Sequence, residues 1–178
     1  MLLIGAGGGV GSAGGPDRLG ARVIGADRSA PADNAPIRAI AERLIVGAED
    51  LPAEVRAATG GKGADVVFDL VGGVMFRSAL ECLAWRGRLI EIATTGQREV
   101  SFDLADFYHN ESRLFGVDTL KRDLTASAEV LDALTPGFLA GDYRAAPIEG
   151  ACGLGDAQEA YRKVAAGAAG RIVLRPQE

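Results

Sequence analysis

Histidine and cysteine are nearly missing from this chain: His109 is the only histidine, and the two cysteines, Cys82 and Cys152, stand far apart. With no Cys-x-x-Cys and no second histidine, no cluster reaches the ligand count a zinc site needs. Two lone cysteines of this kind read as buried small apolar residues, not as a disulfide. No uninterrupted apolar stretch approaches about 18 residues, so no membrane span is expected. Nothing reads as a signal peptide either, because no basic leader precedes an apolar stretch and a cleavage site. The 19 basic and 24 acidic residues give a net charge of −5. No basic run offers phosphate backbones a landing, which argues against nucleic acid as a partner. The expected compartment is the cytoplasm.

What remains is ordinary bulk with an informative beginning. A length of 178 residues, 48% apolar and 24% charged, suits one globular domain with a real core. Met1-Leu2-Leu3-Ile4 runs straight into Gly5-Ala6-Gly7-Gly8-Gly9-Val10-Gly11-Ser12, and Ala21 to Ala26 forms a second apolar run closed by Asp27. That order is what a dinucleotide-binding βαβ unit requires. A tight turn lets backbone N–H groups approach a pyrophosphate, and the helix start that follows adds partial positive charge. Asp27 lies 19 residues beyond Gly8, where an acid can accept hydrogen bonds from a ribose 2′-OH.

The remaining chain alternates apolar runs with helical patterns, the signature of a parallel sheet covered on both faces. Ile37 to Glu42 reads as part of a short helix and Arg43 to Val46 as a third strand. Asp50 can cap a helix from Leu51 to Thr59, stopped by Gly60 and Gly61. Ala64 to Leu70 reads as a buried central strand, with Asp69 as a strand-end hydrogen-bond acceptor. After Gly72-Gly73, Phe76, Leu80, Leu83 and Ala84 keep helical spacing up to Gly87, and Arg88 to Ala93 is the fifth strand. Leu114 to Val117 fits a short edge strand, and Thr125 to Leu134 a helix that Pro136-Gly137 breaks or kinks. Asp156 and Glu159 resemble a capping box. The stripe Ala157, Ala160, Tyr161, Val164, Ala165 and Ala168 should face the core before a last strand, Arg171 to Leu174. Trp85 is expected to be a core or capping aromatic. His109, with no Ser or Cys partner identifiable, reads as structural or surface rather than catalytic. Tyr108, Tyr143 and Tyr161 have no lysine four residues on, so a Tyr-x-x-x-Lys dehydrogenase is excluded.

Taken together, these segments resemble the cofactor-binding domain of the medium-chain dehydrogenase/reductase superfamily, in its quinone-oxidoreductase-like and zinc-type alcohol-dehydrogenase-like branches. The carriers are the Gly5 to Ser12 turn, Leu19 to Ile24, Gly63 to Asp69 with Val71-Gly72-Gly73, Leu83 to Ile90, Phe107 to Thr119, and Ala160-Tyr161 with Gly170 to Pro176. The resemblance covers most of the chain and implies an α/β fold with a doubly wound, mostly parallel Rossmann-type sheet. Residues 1–178 would form one dinucleotide-binding domain, with 147–178 supplying a closing helix and strand. Ala6, Gly7, Gly8, Gly9, Val10 and Gly11 would line the pyrophosphate, and Val71, Gly72, Ala93 and Thr94 would sit at strand ends facing the nicotinamide. A carboxylate at Asp27 repels a 2′-phosphate and favours NAD, while Arg28 leaves NADP open. The implied activity is hydride transfer between nicotinamide and a carbonyl, alcohol or quinone/enone substrate. A homodimer through the edge strand is also implied.

Two departures qualify that picture. The family carries a preceding β-rich domain with the substrate contacts and, in the zinc branch, the metal ligands. The sequence expectation is therefore half an enzyme, inactive alone, completed by a missing substrate domain or a partner chain, and without zinc of its own. Two other readings stay open: a non-catalytic nucleotide-binding or interaction module, and a class I methyltransferase, which also uses a glycine turn and an acid after its second strand. The second departure is Gly14-Gly15-Pro16, where the family continues a long apolar helix. Proline inside a helix costs about 3 kcal/mol, and each glycine about 1 kcal/mol against alanine. An Ala-rich replacement of Gly14 to Pro16 is therefore expected to tighten dinucleotide binding by about one to two orders of magnitude, read by calorimetric titration. An unchanged affinity would dismiss the expectation that this break makes dinucleotide binding weaker than in an intact relative.

Overall fold

Alternation along the first strand decides how the core divides into two layers. The computed structural model describes residues 1–9, 20–143, 147–168 and 170–176. Strands β1 (Leu2–Ile4), β2 (Val23–Asp27), β3 (Ala41–Val46), β4 (Ala64–Asp69), β5 (Leu83–Glu91) and β6 (Arg113–Gly116) form one parallel sheet, in the order β3-β2-β1-β4-β5-β6. Successive side chains of a strand point to opposite faces. Leu2 and Ile4 thus join Val67, Leu89 and Ile45 on one face, while Leu3 joins Val23 and Ile37 on the other. The first face is covered by α2 (Leu51–Ala58) and α3 (Phe76–Glu81), through Leu51, Val55, Phe76 and Ala79. Each fully buried Leu or Val contributes about 1.5–3 kcal/mol, so Leu2, Val55, Val67 and Leu89, all at 2% exposure or less, anchor this layer. The second face is thinner among the described residues, with α1 (Ile37–Ile40) against it.

Local chemistry explains where the helices stop and start. Asp50 accepts a bond from the Ala53 N–H at 2.9 Å, as its sequence position predicts, and so starts α2. Gly61, at φ +86°, returns its N–H to the Arg56 carbonyl and closes that helix. Two helices remain before the edge of the chain's last unit: α4 (Leu104–His109) and α5 (Leu124–Leu139). Asp103 caps α4 and Asp123 caps α5.

Several expectations need correction. The helix after Gly72-Gly73 does not reach Gly87: α3 ends at Glu81, and Leu83 already pairs with Ala64 in the sheet. Long-range strand pairing has outbid helical spacing. The ladder then jumps from Leu83 to Arg88, and Gly87 sits in the resulting bulge beside Arg86 at φ +62°. Trp85 is 61% exposed, not core, with the Arg86 guanidinium 4.3 Å from its ring centre. Pro136 does not break α5, which runs on to Leu139. Its turn faces solvent, so the carbonyl deprived of a partner there can bond to water. The helix α6 (Ala157–Ala165) starts where expected, but the Asp156 side chain makes no capping bond. Its stripe is largely uncovered: Ala160 is buried, yet Tyr161 is 72% and Val164 54% exposed. The last strand, β8 (Arg171–Arg175), does not join the main sheet. It pairs in parallel with β7 (Ile148–Gly153), a strand the sequence did not announce. The Val10–Leu19 segment, with its Gly14-Gly15-Pro16 break, lies outside the described residues.

Asp50→Ala removes the capping bond of α2 and is expected to lower the unfolding free energy by about 1 kcal/mol. A urea titration should show an earlier midpoint at unchanged slope.

Candidate cofactor-binding cleft

In a sheet ordered 3-2-1-4-5-6, the chain departs in opposite directions on either side of β1, which opens a crevice at the carboxyl ends of β1 and β4. A cleft of about 630 Å³ lies there. Its walls come from the carboxyl ends of β1, β2, β3 and β4 and the turns after them: Ile4 and Gly5, Asp27 and Arg28, Gly47, and Leu70 and Val71. A larger hollow, about 800 Å³, lies elsewhere, lined by Phe102, Phe107 and His109, with Leu83 and Ser112 at the amino ends of β5 and β6. Carboxyl ends are where this topology gathers turns and free N–H groups, so the smaller cleft is the candidate site. His109 is remote from it.

The glycine turn is built on β2. Gly5 and Ala6 both donate to the Ala26 carbonyl, at 2.9 and 3.1 Å, and Gly8 donates back to the Gly5 carbonyl at 3.1 Å. Gly5 has φ +77°, and a side chain there would meet Val71 Cγ2 at 2.9 Å, so both conformation and space demand glycine. The Gly7 N–H donates to Asp27 Oδ2 at 2.9 Å. Asp27 Oδ1 takes a longer bond from the Ser29 N–H, 3.4 Å. An ionised carboxylate has about four acceptor positions, so Asp27 ties down the turn and keeps capacity toward the cleft it borders.

On the other side, Asp69 is fully buried. Its Oδ1 accepts from the Val71 N–H at 2.9 Å and the Gly72 N–H at 2.8 Å, as expected of a strand-end acceptor. Gly72, at φ +61°, presses against the Ala93 carbonyl and bridges Thr94. Thr95 N–H donates to the Val71 carbonyl at 2.8 Å, and Val74 N–H to the Thr95 carbonyl at 3.1 Å. The segment after β5 therefore buttresses the turn after β4.

Of the sequence candidates, Gly5's neighbour Gly8 and Asp27, Arg28 and Val71 meet at the cleft. Ala6 is buried beneath the turn, Gly7 is spent on Asp27, and Gly72, Ala93 and Thr94 form the layer behind Val71. Val10 and Gly11 lie outside the described residues. Sequence reasoning missed Gly47 and Ala48 after β3, Val74, Met75 and Thr95. The strand-end rule that flagged the turn after β1 would have found Gly47. It also missed Arg171: a side-chain carbon at Gly9 would stand 2.7 Å from the Arg171 guanidinium, so the first residue of β8 lays its cation on the glycine turn. No sequence signal joins residues so far apart.

Comparison with known proteins gives a consistent picture. The zinc-binding dehydrogenase family matches residues 16–134. The highly reducing polyketide synthase ALT1 of Alternaria alternata is 32% identical over 126 residues, covering 68% of this chain and 5% of the synthase. The quinone oxidoreductase of Pseudomonas syringae pv. tomato superposes with a TM-score of 0.82 at 26% identity, covering 98% of this chain and 56% of that protein. The Escherichia coli quinone oxidoreductase complexed with NADPH gives 0.81 at 24% identity, over 98% and 56%. The chain thus spans little more than half the length of these solved reductases.

Asp69→Ala leaves the buried Gly72 N–H and the Val71 N–H without their acceptor. The expected loss is about 1–3 kcal/mol of stability per orphaned buried donor, measured by chemical denaturation.

Proposed function

The chain belongs to the zinc-binding dehydrogenase family as the NAD(P)-binding portion of a medium-chain-type oxidoreductase, and from that premise we propose that its cleft holds NAD across the carboxyl ends of β1 and β4. The Gly7 N–H to Asp27 Oδ2 bond carries this reading, because it joins the glycine turn and the acid into one wall of the cleft. Gly8 and Gly9 present backbone without side chains toward the pyrophosphate, and Arg171 supplies the cation beside it. Gly7 belongs to the same phosphate turn, with Ala6 packed under it. Asp27 accepts from the adenosine ribose and disfavours a 2′-phosphate, whereas Arg28 at the same rim is the residue that would admit NADP. Val71, backed by Gly72, Ala93 and Thr94, faces the nicotinamide end.

The bound cofactor supplies hydride, passed between its nicotinamide and a carbonyl, alcohol or quinone/enone substrate. This chain's residues bind and orient it and exclude water from one side. The family's name includes zinc, but the described residues gather no group of three His, Cys, Asp or Glu that could hold a metal. Substrate contacts would come from a further domain or a partner chain, and a second copy would add to β6 at the sheet edge. A cytoplasmic setting suits the free thiols of Cys82 and Cys152, and no helix among the described residues is long and apolar enough to cross a membrane. A methyltransferase reading finds no support in these relatives. A non-catalytic nucleotide-binding module is the remaining rival, and turnover with a quinone or aldehyde would decide against it.

Titration of the purified chain with NADH and NADPH, by nucleotide fluorescence and by heat, should give micromolar NADH binding. Asp27→Ala should weaken NADH and narrow its advantage over NADPH. Arg171→Ala should weaken both by about tenfold, the worth of one charge-assisted hydrogen bond. No binding at millimolar nucleotide would overturn the reading.

A further inference from the structure

We propose that Asp69 and Glu91 share a single proton behind the nicotinamide end of the cleft, and that this proton holds the Val71–Gly72 turn, making Glu91 a positioning residue for proton-linked nucleotide binding. The proposal rests on the nucleotide-binding reading above. Asp69 and Glu91 are register partners at the carboxyl ends of β4 and β5, so both carboxyls leave the sheet on the same face, the one covered by α2 and α3. Asp69 Oδ1 is occupied by the Val71 and Gly72 N–H groups. Asp69 Oδ2 and Glu91 Oε1 are buried, and as two carboxylates neither finds a donor. One proton removes both defects together, because the protonated carboxyl donates to the other. With Asp69 fully buried and Glu91 half-buried, a second negative charge beside the first is disfavoured.

Among the described residues, no counter-charge faces the pair. On this face β1 brings Ile4 beside Asp69 and β6 brings Gly116 beside Glu91. The helix α3 brings Phe76, Ala79 and, at its end, Cys82, whose thiol is pushed by burial up to about 12 and stays neutral. Arg56 of α2 turns its guanidinium to the Glu81 carbonyl, and Asp118 beyond β6 accepts from the Thr119 and Leu120 N–H groups. Burial first, then the charge of Asp69 and the bond to it, raise the Glu91 carboxyl to about 7. A carboxyl raised in the folded state means that the fold binds the proton more tightly than the unfolded chain. This group's contribution to stability is therefore complete below the ordinary carboxylate value, 4.5, and is lost as pH climbs to about 7. Above that, a second negative charge pushes on the carboxylate that holds Val71 and Gly72. Nucleotide affinity should follow the same sign, highest below pH 7.

Carboxyl-carbon NMR of the nucleotide-free chain, with the amide signals of Val71 and Gly72 followed between pH 4.5 and 8.5, tests the shared proton. A Glu91 step near neutrality, tracked by both amides and abolished in Glu91→Gln, is the expected result; glutamine keeps a donor toward Asp69 at every pH. NADH affinity of the wild type should then fall by up to about tenfold per pH unit above 7, the limit for one linked proton, and stay flat in Glu91→Gln. A Glu91 titration in the ordinary carboxylate range, or amides that ignore the step, would overturn the shared proton. NADH binding that is equally tight across the range would overturn the linkage. Failure to bind NADH at any pH would refute the nucleotide reading and the linkage with it, while the NMR step decides the shared proton on its own.

Discussion

A carboxylate without access to water sits directly behind the turn that lines one wall of the cleft. Burying a charge costs several kcal/mol unless hydrogen bonds replace its hydration, and Asp69 meets that demand by gripping the Val71 and Gly72 N–H groups. The rest of the cleft follows from this grip. The turn it holds is tied to β1 through Leu70 N–H on the Ile4 carbonyl, 3.1 Å. Val71 is thereby pressed against Gly5, which leaves that residue no room for a side chain. With Gly5 fixed, the glycine turn bends back toward Asp27 and aims its backbone into the cleft.

Burial is distributed unevenly around this centre. The face under α2 and α3 is dense, and most of the fully buried side chains belong to it, Val23 and Ile37 being on the other. Toward β6, α5 and α6 the apolar residues stand open: Leu114, Phe115, Leu131, Tyr161 and Val164 are all at least 44% exposed. In the proposed reading a second copy adds to β6, and substrate contacts come from a further domain or a partner chain.

The sequence was most legible where local chemistry and the tertiary fold agree. Asp50 capping α2 and the strand from Ala64 follow from rules that act over a few residues, and the placement of Asp27 beside the glycine turn from the recurrent βαβ pattern. It misled where long-range pairing overrode them. Leu83 and Ala84 keep helical spacing, but Ala64 claims Leu83 for the sheet. The α6 stripe has a core-facing period, yet the described chain holds no surface for most of it to face. Period reports which side of a helix is apolar, and only a partner surface decides whether that side is buried.

By itself, the sequence determined the parallel α/β class, the order of the six strands' elements and the turn-plus-acid wall of the cleft. Alternation, caps and glycine conformations are short-range effects that a sequence displays directly. Tertiary structure alone decided three further things: that Arg171 reaches Gly9, that β8 pairs with β7 apart from the main sheet, and that Glu91 stands beside Asp69 with one oxygen of each lacking a hydrogen-bond partner. Each depends on strand register or on contacts between residues far apart in the chain, and register is a property of the assembled sheet.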